Sequence, residues 1–133
     1  MTDTTSPLKE RPLSPHLSVY KPIPTMVMSI LHRITGAAMY FASVLVAWWL
    51  IATAMGPGAF APMSAFFESL FGEIGLFLLS WVMLHHMIGG IKHLVQDTGK
   101  GLGKEGTTRF AHMHAALSAG LTILVWIVGM IVN

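Results

Sequence analysis

The 133-residue chain has no cysteine and few charged residues. Without thiols it cannot form a disulfide, attach a haem covalently through CxxCH, or hold zinc or an iron–sulfur cluster through cysteine. Only 11% of the residues are charged, against about 25% in an average soluble domain. The net charge of +2 is dispersed and excludes a nucleic-acid-binding protein. Any bound redox cofactor must therefore be held by histidine or methionine, of which there are seven and ten.

The basic residues fall into two blocks, one before residue 34 and one between residues 92 and 109. Three charge-free apolar stretches result, at 34–54, 74–91 and 110–132. As helices they would be roughly 27–35 Å long, which matches the hydrocarbon core of a bilayer. A soluble helix of this length normally carries a polar stripe, whereas the first stretch offers only Thr35, Tyr40, Ser43, Thr53 and two tryptophans. We therefore expect an all-α integral membrane protein with three transmembrane helices.

The distribution of charge also predicts the orientation. The amino-terminal segment and the 92–109 loop carry all the lysine and arginine, whereas the 55–73 loop has two acidic residues and no basic ones. The positive-inside rule then places the N-terminus in the cytoplasm and the C-terminus in the periplasm. Residues 1–10 contain two acidic residues and one lysine, unlike an arginine-rich transit peptide. We expect the bacterial inner membrane rather than the mitochondrial one.

Proline and glycine divide the chain into six segments. Five of the seven prolines lie before residue 26 and prevent a continuous helix there. The predicted order is a proline-rich cytoplasmic segment (1–25), transmembrane helix I (26–55), an outer loop (56–65), transmembrane helix II (66–97), a cytoplasmic loop (98–108) and transmembrane helix III (109–133).

Histidines on the second helix are candidates for haem ligation. His86 and His93 are seven residues apart and share one helix face. Gly89 and Gly90 leave a patch without side chains one turn from His86, which a flat macrocycle could approach. The alternative is a membrane histidine hydrogen-bonded to a neighbouring helix. His85 points about 100° away from His86, and spacing alone does not decide which of the two would bind iron.

The third helix carries two more histidines. His114 lies at roughly the depth of His86, so that a haem held within this chain is one interpretation, while interfacial polar positions for His112 and His114 are the other. Alanines 111, 115 and 119 recur every four residues and predict a face for close helix packing.

Three polar side chains lie together at the start of the first helix. Ser29 is three and four residues before His32 and Arg33, so all three project to one side. A hydroxyl, an imidazole and a guanidinium could hold a quinone carbonyl or haem propionates. A simple positive-inside anchor would explain Arg33 alone.

Three motifs carry a family resemblance. The segments RPLSPHLSVY (11–20), SILHRITG (29–36) and HMIGGIKHLVQD (86–97) follow in this order. The chain resembles, over residues 11–132, the cytochrome b556 membrane-anchor subunits of succinate dehydrogenase (succinate:quinone oxidoreductase). Two positions depart from that pattern: His85 stands where tyrosine is common, and Lys92 where arginine is also found.

The resemblance implies roles for individual residues. His86 corresponds to the axial ligand of haem b iron, with the second ligand supplied by another membrane-anchor subunit. Ser29 and Arg33 correspond to the ubiquinone site, and His32, Arg33 and His93 to the surroundings of the haem propionates.

The resemblance also implies a complex that carries electrons from succinate to ubiquinone, in the tricarboxylic acid cycle and the respiratory chain. A flavoprotein with FAD and an iron–sulfur subunit would oxidise succinate, while this chain, which has no succinate or flavin motif, would form a non-catalytic helical bundle with the second anchor. The alternatives are the anchor of a fumarate-reducing complex, and a cofactor-free membrane scaffold or transport subunit.

Overall fold

The described part of the chain is entirely helical. The structure is a computed structural model that describes residues 12, 14, 16 and 19–132. Its elements are α1 (Pro24–Met55), α2 (Pro57–Phe67), α3 (Leu70–Asp97) and α4 (Lys104–Val132), with no strand among the described residues. Helices α1, α3 and α4 are long and apolar enough to cross a membrane. The predicted all-α architecture with three membrane spans is confirmed, and the chain is an integral membrane protein.

Local sequence explains where the helices begin and end. Pro24 occupies the first turn of α1, where its fixed φ and missing N–H are tolerated. Gly56 ends α1 with a φ of 95°, a backbone conformation that residues with a side chain avoid. Helix α3 is capped by Ser69, whose hydroxyl accepts a hydrogen bond of 3.2 Å from the amide of Gly72. Most of the predicted proline-rich segment 1–25 lies outside the described residues.

The connection between the first two spans differs from the expected loop. Helix α2 occupies residues 57–67, where we expected a loop over 56–65, and α3 begins four residues after the predicted start at 66. Pro57 suits a helix start, while Pro62 inside the helix lacks an N–H and crowds the carbonyl of residue 58. Met63 is 1% exposed, so burial of this apolar side chain stabilises a helix that Pro62 weakens.

Helices α1 and α3 each pack against the other three helices. His32, near the start of α1, lies beside His93, near the end of α3. Phe77 in the first half of α3 packs against Trp126 in the second half of α4, at 5.5 Å between ring centroids. Helix α3 is therefore antiparallel to both α1 and α4. All the bundle histidines described below lie towards the end where α1 begins.

The bundle has a polar interior and an apolar exterior. The buried polar residues outnumber the buried apolar ones, and they are Thr35, His85, His114, Ser118 and Thr122. Large apolar side chains cover the outside, as Phe41 (70% exposed) and Ile131 (77%) illustrate. Lipid gives no hydrophobic drive for helix association, so that small residues and interhelical hydrogen bonds hold such a bundle together.

The packing face of α4 is not the predicted alanine repeat. Ala111 is buried, but Ala119 is exposed, because eight residues turn the helix by about 80° beyond two full turns. The buried face instead follows Ala111, His114, Ser118 and Thr122.

Candidate functional site

The helices α1 and α3 bring His32 and His86 into direct contact. Their rings are stacked, with centroids 4.0 Å apart and planes 6° from parallel. The Nδ1 of His86 lies 3.0 Å from the backbone carbonyl oxygen of His32 and 3.4 Å from the hydroxyl of Thr35. Thr35 is buried, and its hydroxyl donates to carbonyl oxygens of its own helix. His86 is thus anchored to α1 through Nδ1 alone.

This anchoring assigns the tautomer of His86. A carbonyl oxygen can only accept a hydrogen bond, so Nδ1 of His86 carries the hydrogen and donates it. The Nε2 atom of the neutral ring then carries the lone pair. Metal-binding histidines are commonly oriented in this way, with one ring nitrogen donating to a carbonyl and the other free to coordinate.

Two glycines shape the space around His86. A Cβ atom added at Gly36 would lie 2.8 Å from Cε1 of His86, so a side chain at position 36 would displace the ring. Gly90 lies one turn after His86 on nearly the same face, and a Cβ there would meet nothing within 4 Å. The face of α3 that carries His86 and Gly90 is therefore open within this chain, as a site for a flat ligand requires.

Gly89 has a different role from the one expected for a glycine patch. It is buried, and an added Cβ would overlap Nδ1 of His32 and lie 3.0 Å from Cε1 of His114. Gly89 therefore allows α1 and α4 to pack closely on α3. Of the two glycines expected to form a patch without side chains, only Gly90 leaves open space.

The remaining predicted site residues surround His32 and His86. His93 lies 5.3 Å from His32 between ring centroids and is exposed. Ser29 and Arg33 are also exposed, and neither side chain has a hydrogen bond or ion pair with another described residue. The structure thus gathers His32, His86 and His93, and leaves the hydroxyl and guanidinium available to a ligand or partner.

His85 belongs to a separate site between α3 and α4. It is 1% exposed, and its ring stacks on that of His114 at 4.1 Å between centroids. Nδ1 of His85 lies 3.2 Å from the hydroxyl of Ser118, which itself donates to the carbonyl of Ala115. Nδ1 of His85 is therefore the donor. His114 in turn donates from Nε2 to the carbonyl oxygen of His85 at 2.8 Å.

These contacts distinguish the histidines of α3 and α4, which sequence spacing alone could not rank as candidate ligands. His114 is 2% exposed and lies inside the bundle, not at an interfacial surface position, whereas His112 is exposed. His85 and His114 use one nitrogen each in helix packing, and the other nitrogen of each is buried without a partner among the described residues. Of His85, His86 and His114, only His86 combines a hydrogen-bonded Nδ1 with a neighbouring surface that is open.

Sequence reasoning did not single out Thr35 and Gly36, although both lie inside the SILHRITG segment. The signal was their spacing, since they follow His32 by three and four residues and so lie one turn further along the same side of α1. Both contact His86, one by its hydroxyl and the other by lacking a side chain.

Comparison with known proteins identifies the family of this chain. Residues 7–128 match the family described as succinate dehydrogenase/fumarate reductase transmembrane subunit. The chain is 40% identical over 118 residues to the succinate dehydrogenase cytochrome b556 subunit of Paracoccus denitrificans, covering 89% of this chain and 91% of that one.

Two further relatives have similar names. The cytochrome b556 subunit of Rickettsia bellii is 34% identical over 118 residues, covering 89% of this chain and 92% of the relative. The mitochondrial succinate dehydrogenase cytochrome B subunit of Schizosaccharomyces pombe is 36% identical over 121 residues, covering 81% and 63%.

Proposed function

This chain belongs to the succinate dehydrogenase/fumarate reductase transmembrane subunit family, and we propose that it anchors a succinate:quinone oxidoreductase and binds haem b through His86. The observation that carries the proposal is the hydrogen bond from Nδ1 of His86 to the carbonyl oxygen of His32. It leaves Nε2 of a half-buried imidazole beside the open face at Gly90.

The donor set fits a b-type haem. His86 would offer one neutral imidazole nitrogen to the haem iron, and a histidine of the second membrane-anchor subunit would supply the other ligand. His32, Arg33 and His93 supply hydrogen-bond donors for the propionates at the same end of the bundle. When bound, the haem would accept and release one electron, at a reduction potential that such neighbouring groups tune.

Ser29 and Arg33 contribute to the ubiquinone site. Both are exposed on α1, one turn apart, without a partner among the described residues. The guanidinium and the hydroxyl donate hydrogen bonds to a quinone oxygen and stabilise the negative charge that develops there on reduction. Donors fixed on a helix need little rearrangement during the reaction. The proton for the reduced quinone comes from a partner chain.

The rest of the electron path lies on partner subunits. A flavoprotein with FAD oxidises succinate, and an iron–sulfur subunit passes electrons to the quinone. This chain and the second anchor form the helical bundle in the bacterial inner membrane, with the N-terminus cytoplasmic and the C-terminus periplasmic. The same anchor would serve a fumarate-reducing complex, because the direction depends on potentials and on the available quinone.

A visible spectrum tests the proposal. We expect a reduced-minus-oxidised spectrum of the complex purified with this chain to have the bands of a b-type cytochrome, with one haem per copy. Complex with all subunits present but no haem absorbance would contradict haem binding and favour a cofactor-free scaffold.

Replacement of Arg33 tests the quinone site. We expect Arg33→Ala to lower succinate:quinone reductase activity about 10- to 100-fold, the effect of losing a charged hydrogen bond. Succinate oxidation by an artificial dye should remain unchanged, because the dye takes electrons before the quinone site. Arg109→Ala, also exposed, serves as the control and should retain both activities. An equal fall of both activities in Arg33→Ala would contradict the assignment.

A further inference from the structure

A cavity opens at the end of the bundle opposite the histidines. It has a volume of about 400 Å³ and lies between α1, α2 and α3. Its walls include Leu45 and Trp49 of α1, Phe60 of α2 and Leu79 of α3, and they are apolar except at one edge. The two polar residues of the lining are Ser64 and Glu68. The cavity is thus an apolar groove with one acidic edge.

The carboxylate at this edge has no cationic partner among the residues that the structure describes. The hydroxyl of Ser64 donates to Oε1 of Glu68 at 2.6 Å, which holds the carboxylate at the rim and leaves Oε2 to accept another donor. The sequence contains no lysine or arginine between Arg33 and Lys92, and no histidine between His32 and His85. The nearest basic residues along the chain lie at the other end of the bundle. A cationic group from outside the chain would therefore be attracted to Glu68.

We propose that this groove binds a phospholipid with a primary ammonium headgroup, phosphatidylethanolamine, with an acyl chain along the apolar walls and the ammonium on Glu68. An apolar groove on a membrane-spanning bundle is filled by lipid chains unless protein covers it. The ammonium donates hydrogen bonds and carries the charge that complements the carboxylate. Anionic phospholipids would instead place their phosphate against Glu68 without an intervening cation from this chain.

The size of the groove favours a lipid chain over a helix of a partner subunit. A helix with side chains is about 10–12 Å across, and one turn alone occupies roughly 400–600 Å³. The cavity of about 400 Å³ would accept at most one such turn. An acyl chain is thinner than a helix and flexible, so it can follow a narrow groove between three helices. The inference requires only insertion in a membrane and is independent of haem and quinone.

Lipid competition on the intact complex tests this site. The complex, purified in mild detergent, is incubated with equal amounts of phosphatidylethanolamine and phosphatidylglycerol with the same acyl chains, and bound lipids are counted by native mass spectrometry. We expect Glu68→Gln to lower the ratio of bound phosphatidylethanolamine to phosphatidylglycerol about 1.5- to 5-fold, the range for an exposed ion pair. Glu73→Gln, which removes the other carboxylate of this region, should keep the wild-type ratio.

A second variant tests the apolar part of the groove. Leu45→Trp enlarges a lining side chain and should lower the number of both lipids bound while leaving their ratio unchanged. Equal binding of the two lipids to the wild type, or the same ratio in Glu68→Gln and Glu73→Gln, would overturn the proposal. Loss of a partner subunit from Glu68→Gln with an unchanged lipid ratio would also overturn it, since a cation of that subunit would then occupy the carboxylate.

Discussion

Two adjacent histidines of α3 lie at two different helix–helix interfaces, which we call the α1–α3 seam and the α3–α4 seam. His86 faces α1 and donates to a backbone carbonyl, whereas His85 faces α4 and donates to the hydroxyl of Ser118. His86 is half-buried beside the open surface at Gly90, but His85 is 1% exposed and stacked on His114. The α1–α3 seam holds an imidazole at the edge of an open surface, and the α3–α4 seam encloses one completely.

The helix rotation of about 100° between neighbouring residues directs His86 towards α1 and His85 towards α4. In the α3–α4 seam, polar side chains supply the interhelical hydrogen bonds that hold helices together in lipid. In the α1–α3 seam, a hydrogen bond of the same kind orients a ring whose second nitrogen remains available. Histidine therefore packs two helices together at position 85, and at position 86 it leaves a ring nitrogen available.

The largest effect should come from exchanging each histidine for asparagine. Asparagine retains a donor near the position of Nδ1 but lacks Nε2, so His86→Asn should keep the contact with α1 and remove the proposed iron ligand. We expect the b-type bands to be lost in His86→Asn and retained in His85→Asn, measured as haem per purified complex. Loss of haem in His85→Asn alone would reverse the assignment of the two seams.

Adding one methyl group at Gly89 or at Gly90 tests the difference between a packed position and an open position of α3. Gly89→Ala creates an overlap with His32 and should destabilise the bundle by about 1–3 kcal/mol, the usual cost of overpacking. Gly90→Ala meets no atom of this chain within 4 Å, so it should destabilise the bundle less than Gly89→Ala, and alanine's helix propensity contributes up to about 1 kcal/mol in its favour. The thermal unfolding of the purified complex provides the comparison, and equal midpoints for the two variants would contradict the close packing at Gly89.

The smallest effect should come from Ser118→Ala. The variant removes the acceptor of His85 and, by the measured range for interhelical hydrogen bonds in membranes, should cost about 0.5–2 kcal/mol. Haem content should not change, because the α3–α4 seam is separate from the proposed ligand. A lowered unfolding temperature with a normal spectrum is the expected result, and a shifted haem band would show that the seams are coupled.

Several features of the fold could be predicted because they depend on composition along the chain. Charge-free stretches of bilayer length predicted the three spans. Helical spacing placed His86 and His93 on one face, and only the family resemblance implied that His32 lies near them. Helix α2 was missed because Pro57 and Pro62 indicate a break, while burial of Met63 depends on packing against the other helices. The alanine repeat of α4 was misleading for a similar reason, since the orientation of a helix is set by its neighbours.

The sequence by itself determined that this is a three-span membrane protein without thiol chemistry, because charge and cysteine content are properties of composition. Its motifs also indicated the family. Only the tertiary structure decided which histidine faces which seam, that Gly89 is a packing contact and Gly90 an open one, and that Thr35 and Gly36 contact His86. Spacing gives the angles between residues on one helix, but the rotation of each helix against its neighbours follows from contacts between residues far apart in the chain.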